Sequence, residues 1–176
     1  LLEAAVQATE LEAFNKDKKW AEEEFAERIS KLRLNPGEAW KLRSDIWNEF
    51  LHDDKLAYTY SERIGDQVDK LINEFKKNPS TRQAYLSIWN PDLDIDKIGK
   101  ERVPCTLGYH FMIRNDKMEC RYMIRSNDLF THWANDVWLA ITLQEYIASF
   151  VGVQVGRFEQ YICSLHSYLK DLKNVF

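Results

Sequence analysis

The feature that most limits what this chain can fold into is a pair of alternating apolar runs, residues 106–114 and 117–125, separated only by Asn115-Asp116. A two-residue connection leaves room for nothing but a tight turn, and Asn and Asp tolerate the left-handed backbone that such turns demand. The two runs are therefore expected to fold back on each other as an antiparallel hairpin. This pairing has a chemical consequence. Cys105 opens one run and Arg125 closes the other, so residues distant in sequence become neighbours in space. A thiol beside a guanidinium is a candidate nucleophile, because a nearby cation favours the thiolate. The competing expectation for a lone cysteine after proline is burial without reactivity.

On either side of the hairpin the pattern is mostly helical. Residues 1–33 lack Gly and Pro and carry Leu2, Val6, Leu11 and Phe14 at roughly helical spacing, and Asn35-Pro36-Gly37 ends that stretch. Residues 38–50 give a second helical pattern, and Tyr58, Tyr60 and Arg63 fall in a loop. Apolar positions 64, 68, 71, 72 and 75 predict a helix stopped by Asn78-Pro79, and residues 84–89 suit a short buried strand broken by Asn90-Pro91. After the hairpin, apolar residues from Val137 to Val151 predict a long helix, with Asp128 or Asn135 as its cap and Gly152 at its end. Residues 158–165 then read as a strand and 166–176 as a connection leading into a helix.

Composition excludes several functions. A net charge of -4 with both signs interspersed offers no basic stripe for nucleic acid. Three cysteines, at 105, 120 and 163, lack the CxxC spacing of a zinc site and do not form an even-numbered disulfide framework. No apolar run reaches membrane-spanning length and no signal-peptide pattern is visible, so the expected location is cytoplasmic, with no membrane partner. No glycine-rich phosphate loop, metal-ligand spacing or repeat occurs, and no metal is expected. His110 and His132 are read as ordinary structural or surface residues. At 176 residues and 45% hydrophobic, the chain can bury one good core, and one domain over 1–176 is expected.

Three motifs then come together: Pro104-Cys105, Arg125-Ser126-Asn127-Asp128, and His166-Ser167-Tyr168. In order and spacing they resemble the thymidylate synthase family, with its Pro-Cys nucleophile, Arg-Ser-x-Asp motif and downstream His-x-Tyr. The likeness runs from about residue 78 to 172. Within the family it points to the deoxycytidylate hydroxymethylase branch of the kind phages encode, on Cys105-Thr106, Asn127 and Asn135-Asp136. Thymidylate synthases proper usually carry histidine after the cysteine and asparagine at the position of Asp136.

The resemblance implies an α/β (α+β) fold, a mixed β-sheet flanked by helices, and a homodimer with shared sites. It also implies roles. Cys105 would add to pyrimidine C6. Glu22, three residues before Phe25, would be the catalytic glutamate that positions water, against the alternative of a solvated helix face. Arg125 and Ser126 would hold the nucleotide 5′-phosphate, joined by Arg82 from the second subunit, although Gln83 stands where a further arginine usually follows. His166 and Tyr168 would bond the sugar, while Asp128 and Trp47 would serve the folate. Asp136 would read the base: asparagine offers a donor and an acceptor to uracil, whereas a carboxylate suits the cytosine amino group with a protonated N3.

The expected reaction is conversion of deoxycytidylate (dCMP), 5,10-methylenetetrahydrofolate and water to 5-hydroxymethyl-dCMP and tetrahydrofolate, in a phage-infected bacterial cytoplasm. The alternatives are a thymidylate synthase or C5-methylase acting on deoxyuridylate, and a catalytically reduced nucleotide-binding relative. The family's N-terminal phosphate-binding segment and C-terminal closing segment find no counterpart, and the expectation is open between a fragment of a longer chain, missing mobile ends and a reduced relative.

Overall fold

The computed structural model describes residues 17–172, so Leu2, Val6, Leu11 and Phe14 lie outside the described residues. Helix α1 spans Lys18–Ile29. The expected second helix breaks into 3-10 turns at Ala39–Arg43 and Asn48–Phe50 around a single α-turn at Ser44–Trp47. Helix α2, Tyr60–Ile64, starts where a loop was expected. Thr59 forms a capping box there, its side chain accepting from the Glu62 backbone while the Glu62 carboxylate accepts from the Thr59 backbone. Helix α3, Gln67–Lys77, follows and ends at Asn78. Then come strands β1 (Tyr85–Ser87), β2 (Thr106–Arg114), β3 (Lys117–Ile124) and β4 (Asn127–Asp128), helix α4 (Trp133–Val151), and strands β5 (Gln154–Ile162) and β6 (Leu165–His166).

The main sheet has the order β1-β2-β3-β5, with β5 parallel to β3 and the other neighbours antiparallel; β4 and β6 form a small parallel pair beside it. The α/β class and the mixed sheet flanked by helices are thus observed. Asn115 and Asp116 both take positive φ, 51° and 57°, which is the geometry of a type I′ hairpin turn and pairs Arg114 with Lys117. Alternation along the hairpin sends Tyr109, Phe111, Met118, Cys120, Tyr122 and Ile124 to one face. There they meet Phe75 of α3 and Ala140, Leu143 and Ile147 of α4 in the main core. Each such large apolar side chain contributes roughly 1.5–3 kcal/mol by leaving water.

Three further expectations change. The strand at 84–89 shortens to Tyr85–Ser87 at the edge of the sheet, and only one face is buried: Leu86 points into the core, whereas Tyr85 and Ser87 alternate to the exposed face. Strand β5 begins at Gln154 rather than 158, since Gly152 ends α4 in a left-handed conformation (φ 84°) and the chain turns at once into the sheet. Finally, neither Asp128 nor Asn135 caps α4. His132 occupies the cap position without a side-chain bond, and Asn135 lies buried inside the helix.

Two bulges shape the sheet. Thr106 pairs with Ile124 and Gly108 with Met123, so Leu107 is an extra residue. Without it Thr106 would face away from Tyr109, because side chains alternate along a strand. With it, the Thr106 hydroxyl lies inside, 2.9 Å from the Tyr122 hydroxyl and 3.1 Å from that of Tyr60. Gly108 permits the bulge, since a Cβ there would lie 2.4 Å from the Leu86 carbonyl oxygen. At the second bulge, in the β3–β5 pairing, the buried Gln144 amide donates to the Met118 carbonyl at 2.7 Å.

Candidate active site

The sheet topology gathers one end of several elements together. Strand β2 begins there and β3 ends there, β4 and β6 lie alongside, and α1 crosses over the top. The result is a cavity of about 320 Å³, within the range of small-molecule sites. Its lining includes Cys105, Arg125, Ser126, Asp128, Asp136, His166, Tyr168 and Trp47, eight of the ten residues expected from sequence. The other two, Glu22 and Arg82, stand outside it.

Glu22 is a correction. Its side chain is 57% exposed and lies 4.0 Å from Lys18, so the water-positioning role expected of it does not fit its place. Two residues along a helix turn the side chain about 200° around the axis, and Glu24 therefore faces the cavity instead. It joins Trp20, Glu27 and Arg28 in a stripe along α1. That i, i+4, i+7, i+8 spacing was the sequence signal for the pocket-facing side. Arg82 is exposed in the loop before β1, where its carbonyl meets the His110 ring.

At the cavity wall Arg125 braces the cysteine loop. Its Nε donates to the Pro104 carbonyl at 2.9 Å and its Nη2 to that of Val103 at 3.0 Å, with Nη2 also 3.8 Å from the Cys105 sulfur. The hairpin thus produces the expected adjacency. Its electrostatic effect differs from expectation, however: burial raises the Cys105 pKa, outweighing Arg125, and Asp136 adds to the rise. In the ligand-free site the neutral thiol is favoured.

The floor holds Asp136, enclosed by protein yet open to the cavity. Burial pushes its pKa up to about 7, against the opposing pull of Arg28, Arg43 and a side-chain hydrogen bond from Asn127. Arg28 is itself committed elsewhere, with its Nε donating to Glu24 at 2.8 Å and its guanidinium stacked 4.0 Å over the Tyr60 ring. Beside Asp136, Asn127 is 2% exposed, and neither atom of its amide makes a hydrogen bond of full geometry among the described residues. Asp128 uses one oxygen to accept from the backbone of Phe130 (3.1 Å) and Thr131 (3.4 Å), bracing the turn before α4.

The opposite wall is aromatic. Arg102 stacks 4.4 Å over Trp47 and 4.0 Å over Phe50, and Trp47 Nε1 is buried without a partner among the described residues. His132 lines the cavity near Trp47, and burial together with Arg43 lowers its pKa to about 4, so it is neutral. His132, Arg102, Glu24 and Asn127 were not among the residues assigned roles from sequence. Tyr58 and Tyr60 both line the cavity, their rings packed edge to face. His166 and Tyr168 likewise pack edge to face at its rim. Among the described residues no cluster of His, Cys, Asp or Glu could hold a metal, and no helix is long and apolar enough to cross a membrane.

Comparison with known proteins bears on this arrangement. The family described as "Thymidylate synthase" matches residues 4–176. A putative thymidylate synthase of Methanocaldococcus jannaschii is 34% identical over 127 residues, covering 71% of this chain and 57% of that protein. A deoxyuridylate hydroxymethyltransferase of Bacillus phage SP01 is 39% identical over 110 residues, covering 60% of this chain and 28% of its own length. In three dimensions the chain is similar to the thermostable thymidylate synthase A of Bacillus subtilis, with a TM-score of 0.71, 24% identity, and coverage of 89% of this chain and 60% of that one. The chain therefore spans little more than half the length of several relatives it matches. With the family matched along nearly the whole sequence and its fold reproduced, this chain belongs to the thymidylate synthase family.

Proposed function

We propose that the domain transfers a one-carbon unit to C5 of deoxycytidylate, giving 5-hydroxymethyl-dCMP. The observation that carries this reading is Asp136, an acceptor-rich carboxyl on the cavity floor at the position the family uses to read the base. In this reading Arg125 Nη1, not engaged by the cysteine loop, and the Ser126 hydroxyl take the 5′-phosphate, since guanidinium suits phosphate oxygens. Arg82, outside the cavity of its own chain, serves the site of a second copy in a homodimer. His166 and Tyr168 bond the sugar.

The chemistry follows from the geometry. Cys105 adds through sulfur to C6 of the ring, and the electron pair of the 5,6 bond makes C5 nucleophilic. The co-substrate 5,10-methylenetetrahydrofolate supplies the one-carbon unit. The orphan Trp47 indole, Arg102 and the second Asp128 oxygen offer an aromatic and polar wall suited to its ring system. C5 bonds to the new carbon and gives up its proton, and the bond from that carbon to the folate nitrogen breaks with its electron pair on nitrogen, so that tetrahydrofolate departs and an exocyclic methylene remains on C5. Glu24, rather than Glu22, positions the water whose oxygen adds to the methylene carbon as its proton passes to the carboxylate. The methylene π electrons move into the ring and re-form the 5,6 double bond while the C6–S bond breaks with its electron pair on sulfur. The cysteine must ionise as nucleotide docks, because the empty site favours the thiol.

A second reading is thymidylate synthesis or hydroxymethylation of deoxyuridylate. It is supported by the named thymidylate synthases among the relatives and by the phage relative whose name specifies deoxyuridylate. That relative also supports a setting in a phage-infected bacterium. Mass spectrometry of the product formed from each nucleotide with methylenetetrahydrofolate decides between them. The expected result is a gain of one CH2O unit on dCMP without the absorbance rise of dihydrofolate. A methyl product with stoichiometric dihydrofolate refutes hydroxymethylation.

A further inference from the structure

Asn127 is a residue to which the proposed chemistry gives no task, yet its placement is unusual. Its backbone is fixed: the N–H donates to the Ser164 carbonyl at 2.9 Å, and β4 is held in register against β6. Its amide is buried at the cavity within side-chain hydrogen-bonding reach of the Asp136 carboxyl, whose pKa it lowers, although neither Nδ2 nor Oδ1 makes a hydrogen bond of full geometry among the described residues. Folded proteins leave few buried polar atoms in this state, because each unsatisfied group carries its full desolvation cost. An amide held this close to a cavity carboxyl, with neither atom in a fully formed bond to any other group, is poised to bond that carboxyl.

We propose that Asn127 is a positioning residue for Asp136, its amide orienting the carboxyl so that one oxygen faces the amino edge of a cytosine-type base. The inference rests on the reading of Asp136 as the base-facing group. Asn127 Nδ2 can donate to one oxygen of the ionised carboxyl, leaving the other to accept from the exocyclic amino group. Against uracil the same oxygen would meet O4, acceptor against acceptor. A side chain that holds Asp136 ionised and aimed therefore selects the amino base, since mismatched buried groups reject the wrong analogue.

The other groups around Asp136 leave this task open. From α1, Arg28 favours the ionised form but is bound to Glu24, which opposes it. Arg43 is turned toward the Thr131 carbonyl and Asp17. Tyr58 and Tyr60, Tyr109 of β2, Tyr122 of β3, and Cys105 are the remaining titratable neighbours, and burial raises the pKa of each. The Tyr60 and Tyr122 hydroxyls are committed to Thr106, which leaves Asn127 and the Tyr58 hydroxyl as neutral donors nearby, and it is the Asn127 side chain that reaches the Asp136 carboxyl.

The test is a carbon-13 NMR titration of the full, ligand-free chain labelled at aspartate carboxyls, with the Asp136 signal identified by its loss in Asp136→Asn. Asn127→Ala is expected to raise the Asp136 midpoint, with Asn127→Ser, which keeps a hydroxyl donor, between it and wild type. Calorimetric binding of dCMP and dUMP is then expected to show the dCMP preference falling about tenfold in Asn127→Ala, and not falling further when the change is made on Asp136→Asn. An unmoved midpoint in both variants overturns the proposal, as does an equal fall in preference on the Asp136→Asn background. Should Asn127→Ala fail to fold, Asn127→Ser carries the same comparison. Because the titration needs no nucleotide, failure of wild type to bind dCMP would count against the proposed function alone.

Discussion

Two buried polar regions of this molecule are built on opposite principles. Where the chain leaves β1 for the cysteine loop, Arg63 grips Asp94 with two guanidinium nitrogens, at 2.6 and 3.2 Å, and the Asn90 backbone N–H donates to the same carboxylate at 2.9 Å. Asp94 is wholly buried and its oxygens are bonded by protein. At the cavity floor Asn127 and Asp136 are also enclosed, but the amide approaches the carboxyl without a fully formed bond, and burial raises the carboxyl's pKa to about 7. A closed network fixes a loop and asks nothing of a ligand. An open one carries a standing desolvation cost that the surrounding helices and sheet must absorb. The first region is read as scaffold and the second as a place where something binds.

Perturbing each region should separate stability from chemistry. The largest effect is expected for Cys105→Ser, which should take C5 tritium release to background while leaving the melting temperature and nucleotide binding close to wild type. Retained turnover would remove the nucleophile from the account. Next, Glu24→Gln should lower kcat by about 10²–10⁴-fold, whereas Glu22→Gln, changed on the exposed side of α1, should leave it unaltered. Steady-state kinetics with both variants checks this, and the reverse pattern would restore Glu22.

Asp94→Ala should act on the scaffold. Leaving Arg63 buried and unpaired is expected to cost about 3–5 kcal/mol, read from the denaturant midpoint at neutral and acid pH. Asp136→Asn should do the opposite. The folded-state pKa of Asp136 is raised to about 7 from 3.8, so the native state holds the proton more tightly than the unfolded one. Its stabilising contribution is full below the unfolded value and is lost as pH rises through the folded one. The ligand-free Asp136→Asn protein should therefore be more stable than wild type by roughly 4 kcal/mol near pH 8, and the gap should close toward pH 4. A gap that does not vary with pH would mean that the floor is closed like the Arg63 junction.

Sequence carried the hairpin because the Asn115-Asp116 turn is local chemistry, and the hairpin alone puts Arg125 against Cys105. The long helix and its stop at Gly152 were legible from periodicity in the same way. Glu22 misled because it was matched by its distance to Phe25, whereas the face of a helix is decided by every third and fourth residue, and that count selects Glu24. The extra residue at Leu107 could not be read, since it depends on β1 lying across Gly108, a contact between distant segments. The stacking of Arg102 on Trp47 and Phe50 is equally non-local. Asn127 was visible as a motif letter, but its approach to the Asp136 carboxyl exists only once β4, β6 and α4 have met.

Base preference tests the central claim most directly, because it asks whether the open floor is there to read a pyrimidine. The ratio of kcat/KM for dCMP to that for dUMP should favour dCMP in wild type and shift toward dUMP by about ten- to a hundredfold in Asp136→Asn, as loss of a matched buried pair predicts. The same ratio in both proteins would contradict the account.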